Sequence, residues 1–165
     1  MKSLFLILVL MIFGFASDIE GFRDMKWGDN PSKLGKTTIV EKHPEEKSFI
    51  YKKNNESFKI GETLLDGIFY DFFDNKLETV ILKFSSKKSL DSLKQAFEEK
   101  YGGRGFIKQN KYIEEYYFVD GGPASISMNC NSSYSKCYIF ISNTKILEEA
   151  EAYRKSVAKK GAKDL

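Results

Sequence analysis

The strongest constraint on the fold comes from two cysteines, Cys130 and Cys137, and from the segments that flank them. Apolar and polar residues alternate in 124–130 and in 137–142, which is typical of half-buried strands. If the two cysteines face each other across a hairpin, the same register brings the apolar residues of both strands to one face. The cross-strand pairs on that face are Cys130 with Cys137, Met128 with Ile139, and Ile126 with Ile141.

The opposite face of this hairpin takes a mixed set of residues that tolerates solvent. A reactive dithiol has two residues between its cysteines rather than six, and no histidine lies close enough in the sequence to complete a zinc site. We therefore predict a structural disulfide between Cys130 and Cys137. The pairs expected on the mixed face are Asn129 with Tyr138, Ser127 with Phe140, and Ser125 with Ser142.

The rest of the chain predicts an α+β fold, in which an antiparallel sheet of hairpins packs against two main helices and one short N-terminal helix. With 165 residues, 42% of them hydrophobic and 30% charged, the chain suits one globular domain, which we place at 17–165. Hairpins dominate and no strand-helix-strand alternation recurs, so we do not expect a parallel sheet. Further strands are predicted at 22–27, 49–52, 57–60, 63–73, 77–84 and 112–119.

The helices follow from apolar residues at helical spacing. Asn30 and Pro31 form a helix start, so a short helix is expected from there to about Gly35. A middle helix ends at Gly102-Gly103, and its residues Leu93 and Phe97 should bury it against the sheet. A C-terminal helix is predicted over 144–160. The two apolar stripes are Leu90, Leu93, Ala96, Phe97 and Tyr101, and Ile146, Ala150, Tyr153 and Val157.

The first sixteen residues have the features of a secretory signal peptide. Lys2 supplies a positive charge, residues 4–15 form an apolar run, and Gly14 and Ala16 are small residues that a signal peptidase accepts. An uncleaved anchor is the alternative, but twelve helical residues span only about 18 Å of a hydrocarbon core about 30 Å thick. We predict cleavage after Ala16, a periplasmic or secreted location, and no transmembrane segment in the mature chain.

Few residues offer catalytic chemistry. The single histidine, His43, lies in a polar segment, 41–47, which we interpret as an exposed loop without a nucleophile or an orienting acid. Asp71 lies in an otherwise apolar strand, where a desolvated carboxyl has a raised pKa; an outward position on a half-exposed strand is the alternative. We assign no catalytic residue, no metal ligand and no cofactor.

The aromatic residues could build a contact surface. We name Trp27, Tyr70, Asp71 and Phe72 as candidate contacts with a ligand or partner, with core packing as the alternative for the rings. The formal charge of +3 is too even for a nucleic-acid surface, so an envelope protein or a small ligand is the expected partner. The basic C-terminal segment is interpreted as a solvated helix end, with contact to anionic lipid head groups as the alternative.

Several short motifs resemble those of a family of small exported bacterial proteins. That family has no assigned activity, so the resemblance implies an envelope location and a single domain, and it implies no catalytic residue. A second, fold-level likeness is to outer-membrane assembly modules with two helices on a small sheet. The motifs are the start Phe22-Arg23-Asp24-Met25-Lys26-Trp27-Gly28, the central Lys59-Ile60-Gly61 and Ile68-Phe69-Tyr70, and the end Lys160-Gly161-Ala162-Lys163-Asp164-Leu165.

The sequence thus predicts an exported, non-enzymatic binding or interaction module of the bacterial envelope. The alternative is a small hydrolase or an enzyme-inhibitor-like protein that acts on cell-wall material, with Asp71 or Asp120 as its acid. Acids that converge in a concave pocket would favour the enzyme. A flat, exposed aromatic face without such acids would favour binding.

Overall fold

The computed structural model describes residues 19–101, 106–109, 113–119 and 123–161, and for 106–109 and 113–119 it describes the backbone alone. The predicted signal peptide and Asp120 lie outside these residues. The strands are β1 (Gly21–Phe22), β2 (Met25–Lys26), β3 (Thr37–His43), β4 (Ser48–Lys53), β5 (Lys59–Ile60), β6 (Thr63–Leu64), β7 (Gly67–Phe73), β8 (Lys76–Phe84), β9 (Phe106–Gln109), β10 (Ile113–Val119), β11 (Ala124–Asn131) and β12 (Cys137–Asn143), and the helices are α1 (Lys87–Tyr101) and α2 (Thr144–Gly161).

Eight of these strands form one antiparallel sheet, as the α+β prediction requires. Its order is β3-β4-β7-β8-β12-β11-β10-β9, so the hairpins β7–β8 and β11–β12 lie next to each other at its centre. The strands β1 and β2 form a separate two-stranded ribbon, and so do β5 and β6. The turn of the β7–β8 hairpin is made by Asp74 and Asn75, which both have positive φ, as a two-residue hairpin turn demands.

One face of the sheet, which we call the α1 face, is apolar and is covered by α1. Leu93 is fully buried in the core and Phe97 is 5% exposed, which confirms the prediction that this helix buries its stripe. The α1 helix begins where the Ser86 hydroxyl accepts a hydrogen bond from the Ser89 amide, at 3.2 Å. Strand residues buried on this face include Ile68, Tyr70, Phe72, Val80, Leu82, Phe84, Ile126, Met128, Ile139 and Ile141.

The other face, which we call the α2 face, is crossed by α2. This helix starts at Asn143, whose side-chain oxygen accepts a hydrogen bond from the Ile146 amide at 2.9 Å. Ile146 and Ala150 are buried against Phe73. Lys76 Nζ lies 3.2 Å from Glu149 Oε2 and ties the helix to the β7–β8 hairpin.

The predicted register of the β11–β12 hairpin is confirmed at every pair, from Ser125 opposite Ser142 to Cys130 opposite Cys137. The disulfide between these two cysteines is present, and both lie buried on the α1 face. The apolar alternation and the cross-link therefore specify one register together.

Several strand predictions need correction. The segment 22–27 is not one strand: Arg23 has positive φ, and the chain turns there between β1 and β2. The segment 41–47 is not all loop, because β3 extends to His43 and a 3-10 turn follows at Pro44–Glu46. The strand predicted over 63–73 is divided into β6 and β7.

Two further differences concern short elements. At the proline that follows Asn30, the structure has a single 3-10 turn, Pro31–Leu34, whose cap is the Asn30 side chain. Strand β9 and the first half of β3 were not predicted. Both lie at an edge of the sheet, where one side of the strand has no neighbour and the apolar alternation is weak.

Candidate functional site

The candidate site is a cleft of about 470 Å³ on the α2 face, between α2 and the central strands. Acidic, hydroxyl and apolar side chains meet in it, together with one arginine. Such a mixture of a few polar groups and an apolar wall is typical of small-molecule sites. The residues that line it are Asp71, Glu78, Thr79, Ile81, Ser125, Ser127, Phe140, Ser142, Leu147 and Arg154.

Two acids, Asp71 and Glu78, line this cleft, and a β-bulge in the β7–β8 hairpin places Glu78 there. The register shifts between Asp71 and Phe72: Asp71 lies opposite Thr79, but Phe72 lies opposite Leu77, which leaves Glu78 as the extra residue. Such a residue disrupts the alternation of the strand and can be turned to the other face. Leu77 is thus buried in the α1-face core while Glu78 meets α2.

Arg154 of α2 engages Glu78 through two nitrogens. Arg154 Nη1 donates to Glu78 Oε1 at 3.4 Å and Nη2 donates to Oε2 at 3.2 Å. The Glu78 side chain is only 2% exposed. Arg154 Nε also lies 3.5 Å from Glu46 Oε2, so one guanidinium links the helix to both β8 and the 3-10 turn.

Burial dominates the electrostatics of Glu78. Desolvation of the carboxyl and the nearby charge of Asp71 raise the pKa of Glu78 to about 7, although Arg154 opposes this shift. The Glu78 carboxyl therefore holds its proton to a higher pH than an exposed glutamate does.

Asp71 is the more accessible of the two acids. Ser48 donates its hydroxyl to Asp71 Oδ1 at 3.0 Å, and no residue in the described part of the chain bonds to the second oxygen, Oδ2. Burial raises the pKa of Asp71, and the Ser48 hydroxyl and the Arg154 charge partly offset this rise. Because Asp71 lines the cleft, its second oxygen is available to a ligand.

A row of hydroxyl groups continues from the acids across the sheet. Asp71, Thr79 and Ser142 are cross-strand neighbours on β7, β8 and β12, and Ser125 lies opposite Ser142 on β11. Thr79 donates to the Ser142 hydroxyl at 2.8 Å. The Phe140 ring and Ile81 form the adjoining apolar wall.

The structure separates the four contact residues named from the sequence. Only Asp71 reaches the cleft. Tyr70 and Phe72 lie on the opposite side of the same strand and are core residues, 1% and 0% exposed. The half-buried Trp27 packs against both core clusters and donates its indole N–H to the Ile19 carbonyl at 2.6 Å, which is a packing arrangement.

His43 lies on the α2 face at the end of the edge strand β3, opposite Ser48. The expectation that it lacks an orienting acid was wrong, since His43 Nε2 lies 2.8 Å from Glu41 Oε1. This hydrogen bond raises the pKa of His43. The nearby hydroxyl of Ser48 donates to Asp71 instead of to His43, so these two residues do not form a nucleophile-base pair.

Glu78 and Arg154 were missed as site residues. A signal for Glu78 exists, because the alternation of Phe84, Leu82 and Val80 breaks at Thr79 and Glu78, and the next apolar residue comes one position early at Leu77. The sequence signal that Arg154 faces the cleft is weaker. Arg154 lies seven residues after Leu147, beside the apolar stripe of α2, which places both side chains on the flank that faces the cleft.

No helix in the described residues is long and apolar enough to cross a membrane. Among the same residues, no group of three or more histidine, cysteine, aspartate or glutamate side chains has the arrangement of a metal site. Comparison with protein families, with characterised proteins and with solved structures finds no match to this chain.

Proposed function

We propose that this protein is an exported domain of the bacterial envelope that binds a polar, hydroxyl-bearing ligand in the cleft under α2 and does not transform it. The observation that carries the proposal is that the two acids differ in whether their carboxylate oxygens are already bonded. Asp71 presents an open carboxylate oxygen to the cleft, whereas Arg154 occupies both oxygens of Glu78.

The ligand class follows from the groups that line the cleft. The Asp71 carboxylate can accept hydrogen bonds from sugar hydroxyls, and the hydroxyls of Ser125 and Ser127 can either donate or accept them. The ring of Phe140 offers an apolar surface next to them. Fragments of cell-wall glycan have this combination of hydroxyl groups and apolar ring faces.

The engagement of Glu78 favours binding over hydrolysis. A glycoside hydrolase needs two carboxyl groups that both reach the scissile bond. Glu78 is 2% exposed and held by Arg154, so a ligand in the cleft reaches Asp71 more readily than Glu78. A single accessible carboxylate suits recognition.

A hydrolase remains the second candidate because of one specific observation. The pKa of Glu78 is raised to about 7, and a carboxyl that holds its proton near neutral pH is what a general acid requires. Release of the Arg154 contact on ligand binding would expose it. The two functions share one site and differ in whether the ligand is cleaved.

The location part of the proposal rests on the leader and on the disulfide. Residues 1–16 have the charge and apolar pattern of a signal peptide, and disulfides persist in oxidising compartments outside the cytoplasm. Expression of the full chain in a bacterial host, followed by fractionation and intact-mass measurement, tests it. We expect an envelope-fraction protein that starts at Ser17; a cytoplasmic protein with an intact leader would contradict the location.

Binding is tested by calorimetric titration of the purified protein with disaccharide-peptides released from peptidoglycan. We expect Asp71→Asn to weaken binding by about 10- to 100-fold, because it replaces a hydrogen bond to a charged group. The matched control is Asp74→Asn, because Asp74 lies three residues away in the exposed hairpin turn and pairs with Lys47. No binding by the unchanged protein, or equal binding by Asp71→Asn, would contradict the proposed site.

The same samples distinguish the hydrolase. Chromatography after incubation detects cleavage products, and Glu78→Gln removes the proposed acid while it keeps the shape of the side chain. Intact ligand after prolonged incubation supports binding. Turnover that disappears in Glu78→Gln would establish the enzyme instead.

A further inference from the structure

A second pocket, of about 370 Å³, opens on the α1 face, at the end of α1 and on the other side of the sheet from the cleft. It lies between the last turns of α1 and the two short ribbons, β1–β2 and β5–β6. Its volume falls within the range of about 300 to 1,000 Å³ found for small-molecule sites. Among the residues that the structure describes, it shares no lining residue with the α2 cleft.

The inner wall of this pocket is part of the hydrophobic core. Ile141 and Phe97, which are 1% and 5% exposed, line its floor, and Phe22 and Ile60 form its sides. The exposed Ala96 on α1 stands at the opening, where its small side chain leaves the pocket accessible. An apolar chain that enters here would replace water at the edge of the core.

Three cations, from three separate elements, line the same pocket: Arg23, Lys59 and Lys100. Glu56 and the Lys59 carbonyl hold the Arg23 guanidinium, at 2.7 and 3.2 Å, and it lies 5.3 Å from the Phe22 ring centre. Lys59 pairs with Glu62, whose side chain is 97% exposed, so solvent competes with that pair. No carboxylate is among the residues described as lining the pocket.

We propose that this pocket binds a fatty acid, with its hydrocarbon chain against Phe97 and Ile141 and its carboxylate among Arg23, Lys59 and Lys100. The charges at the opening favour an anionic head group. The carboxyl-terminal dipole of α1 acts in the opposite direction, since it disfavours anions, and Lys100 in the last turn compensates for it. The pocket is thus matched to an anionic amphiphile by an apolar interior and a cationic rim.

The test uses the full chain as processed by its host and a series of single-chain probes below their micelle concentrations. Calorimetry compares octanoate, decanoate and dodecanoate with dodecanol and dodecyltrimethylammonium. We expect affinity to rise about fourfold for each added methylene that the pocket buries. Dodecanoate should bind at least about tenfold more tightly than either the neutral or the cationic twelve-carbon probe.

Two variants with matched controls locate the site. Ala96→Trp should fill the opening and abolish binding, whereas Ser92→Trp, one turn earlier on an exposed position of α1, should not. Lys100→Glu should weaken dodecanoate binding by about tenfold, and the equally exposed Lys88→Glu should leave it unchanged. Circular dichroism checks that each variant is folded.

Three outcomes would overturn the proposal. They are equal affinity for the anionic and cationic probes, affinity that does not depend on chain length, and unchanged binding in a folded Ala96→Trp protein. The first two are measured on the unchanged protein, so they decide the matter even if a variant fails to fold.

Discussion

Two neighbouring rows of residues, on the same three strands, show how differently the two faces of the sheet are built. Tyr70, Val80 and Ile141 lie side by side on the α1 face and are at most 1% exposed. The next row contains Asp71, Thr79 and Ser142, on the α2 face. A shift of one residue along each strand thus leads from the hydrophobic core to the polar cleft.

The bulge at Glu78 shows how this polar face comes to hold a buried carboxyl in a cleft. The β11–β12 hairpin keeps one register throughout, and its outward residues include small serines. The adjacent β7–β8 hairpin shifts its register, which places a nearly inaccessible carboxyl beneath α2. One extra residue therefore produces a two-nitrogen contact between Arg154 of this helix and Glu78 of the sheet.

The largest expected effect tests whether the two faces contribute unequally to stability. Phe97→Ala removes a nearly fully buried ring from the α1 face and should lower the free energy of unfolding by about 3 to 5 kcal/mol. Phe140→Ala removes a half-buried ring from the cleft wall and should cost about 1 kcal/mol. Urea denaturation measures both, and equal losses would show that the faces are equivalent.

The second prediction concerns the free energy that it costs to ionise the buried Glu78 carboxyl on the α2 face. Burial raises the pKa of Glu78 from 4.5 to about 7, so the stability that its bound proton contributes is lost as the pH rises between these values. Glu78→Gln has no such dependence. Its stability should equal that of the unchanged protein near pH 4 and exceed it by up to about 3 kcal/mol above pH 7.

Denaturation curves at four pH values between 4 and 8 measure this difference. Gln at position 78 can still accept a hydrogen bond from the Arg154 guanidinium, so the substitution removes the charge and keeps this contact. A difference that does not change with pH would mean that Glu78 is not perturbed by burial.

The third prediction concerns the cross-link on the α1 face. Replacement of Cys130 and Cys137 by alanine should lower the free energy of unfolding by about 2 to 3 kcal/mol, because the short closed loop no longer restricts the unfolded chain. Intact-mass measurement without reductant should first show two hydrogens fewer than for the reduced protein. Two free thiols in exported protein would contradict the disulfide.

The smallest effect is expected at the edge of the α2 face. His43→Ala removes a solvent-exposed ring whose hydrogen bond to Glu41 is also exposed, so the melting temperature should not change measurably. Binding in the cleft should also be unchanged, since His43 does not line it. Loss of catalytic turnover by a factor of about 10² or more in His43→Ala would instead identify it as a general acid or base.

Much of the fold could be predicted from local pattern. The alternation in 124–130 and 137–142, together with the cysteine pair, specified the register of β11–β12, and the stripe through Leu93 and Phe97 specified the buried side of α1. These predictions succeed because a strand or a helix that buries one face needs apolar residues at a fixed spacing. That spacing can be read from residues close together in the sequence. The edge strands β3 and β9 were not predicted because the apolar alternation in their sequences is weak.

Only part of the candidate site could be predicted from the sequence. Asp71 could be named because an acid in an apolar strand is conspicuous, but Tyr70 and Phe72 beside it face the core. Arg154 belongs to the basic C-terminal segment, which the sequence pattern predicts to be a solvated helix end. Its inward position depends on Glu78, which lies 76 residues earlier in the chain, and no local pattern relates the two.

The sequence by itself determined which residues of each central strand are apolar, where the cysteines cross-link, and which helix faces are buried. Only the tertiary structure decided that a bulge turns Glu78 toward α2, that Arg154 meets it there, and that Asp71 keeps an open oxygen in the same cleft. The reason is physical. Hydrophobic alternation is a property of neighbouring residues, whereas the pairing of a buried carboxyl with a distant guanidinium depends on how separate elements pack.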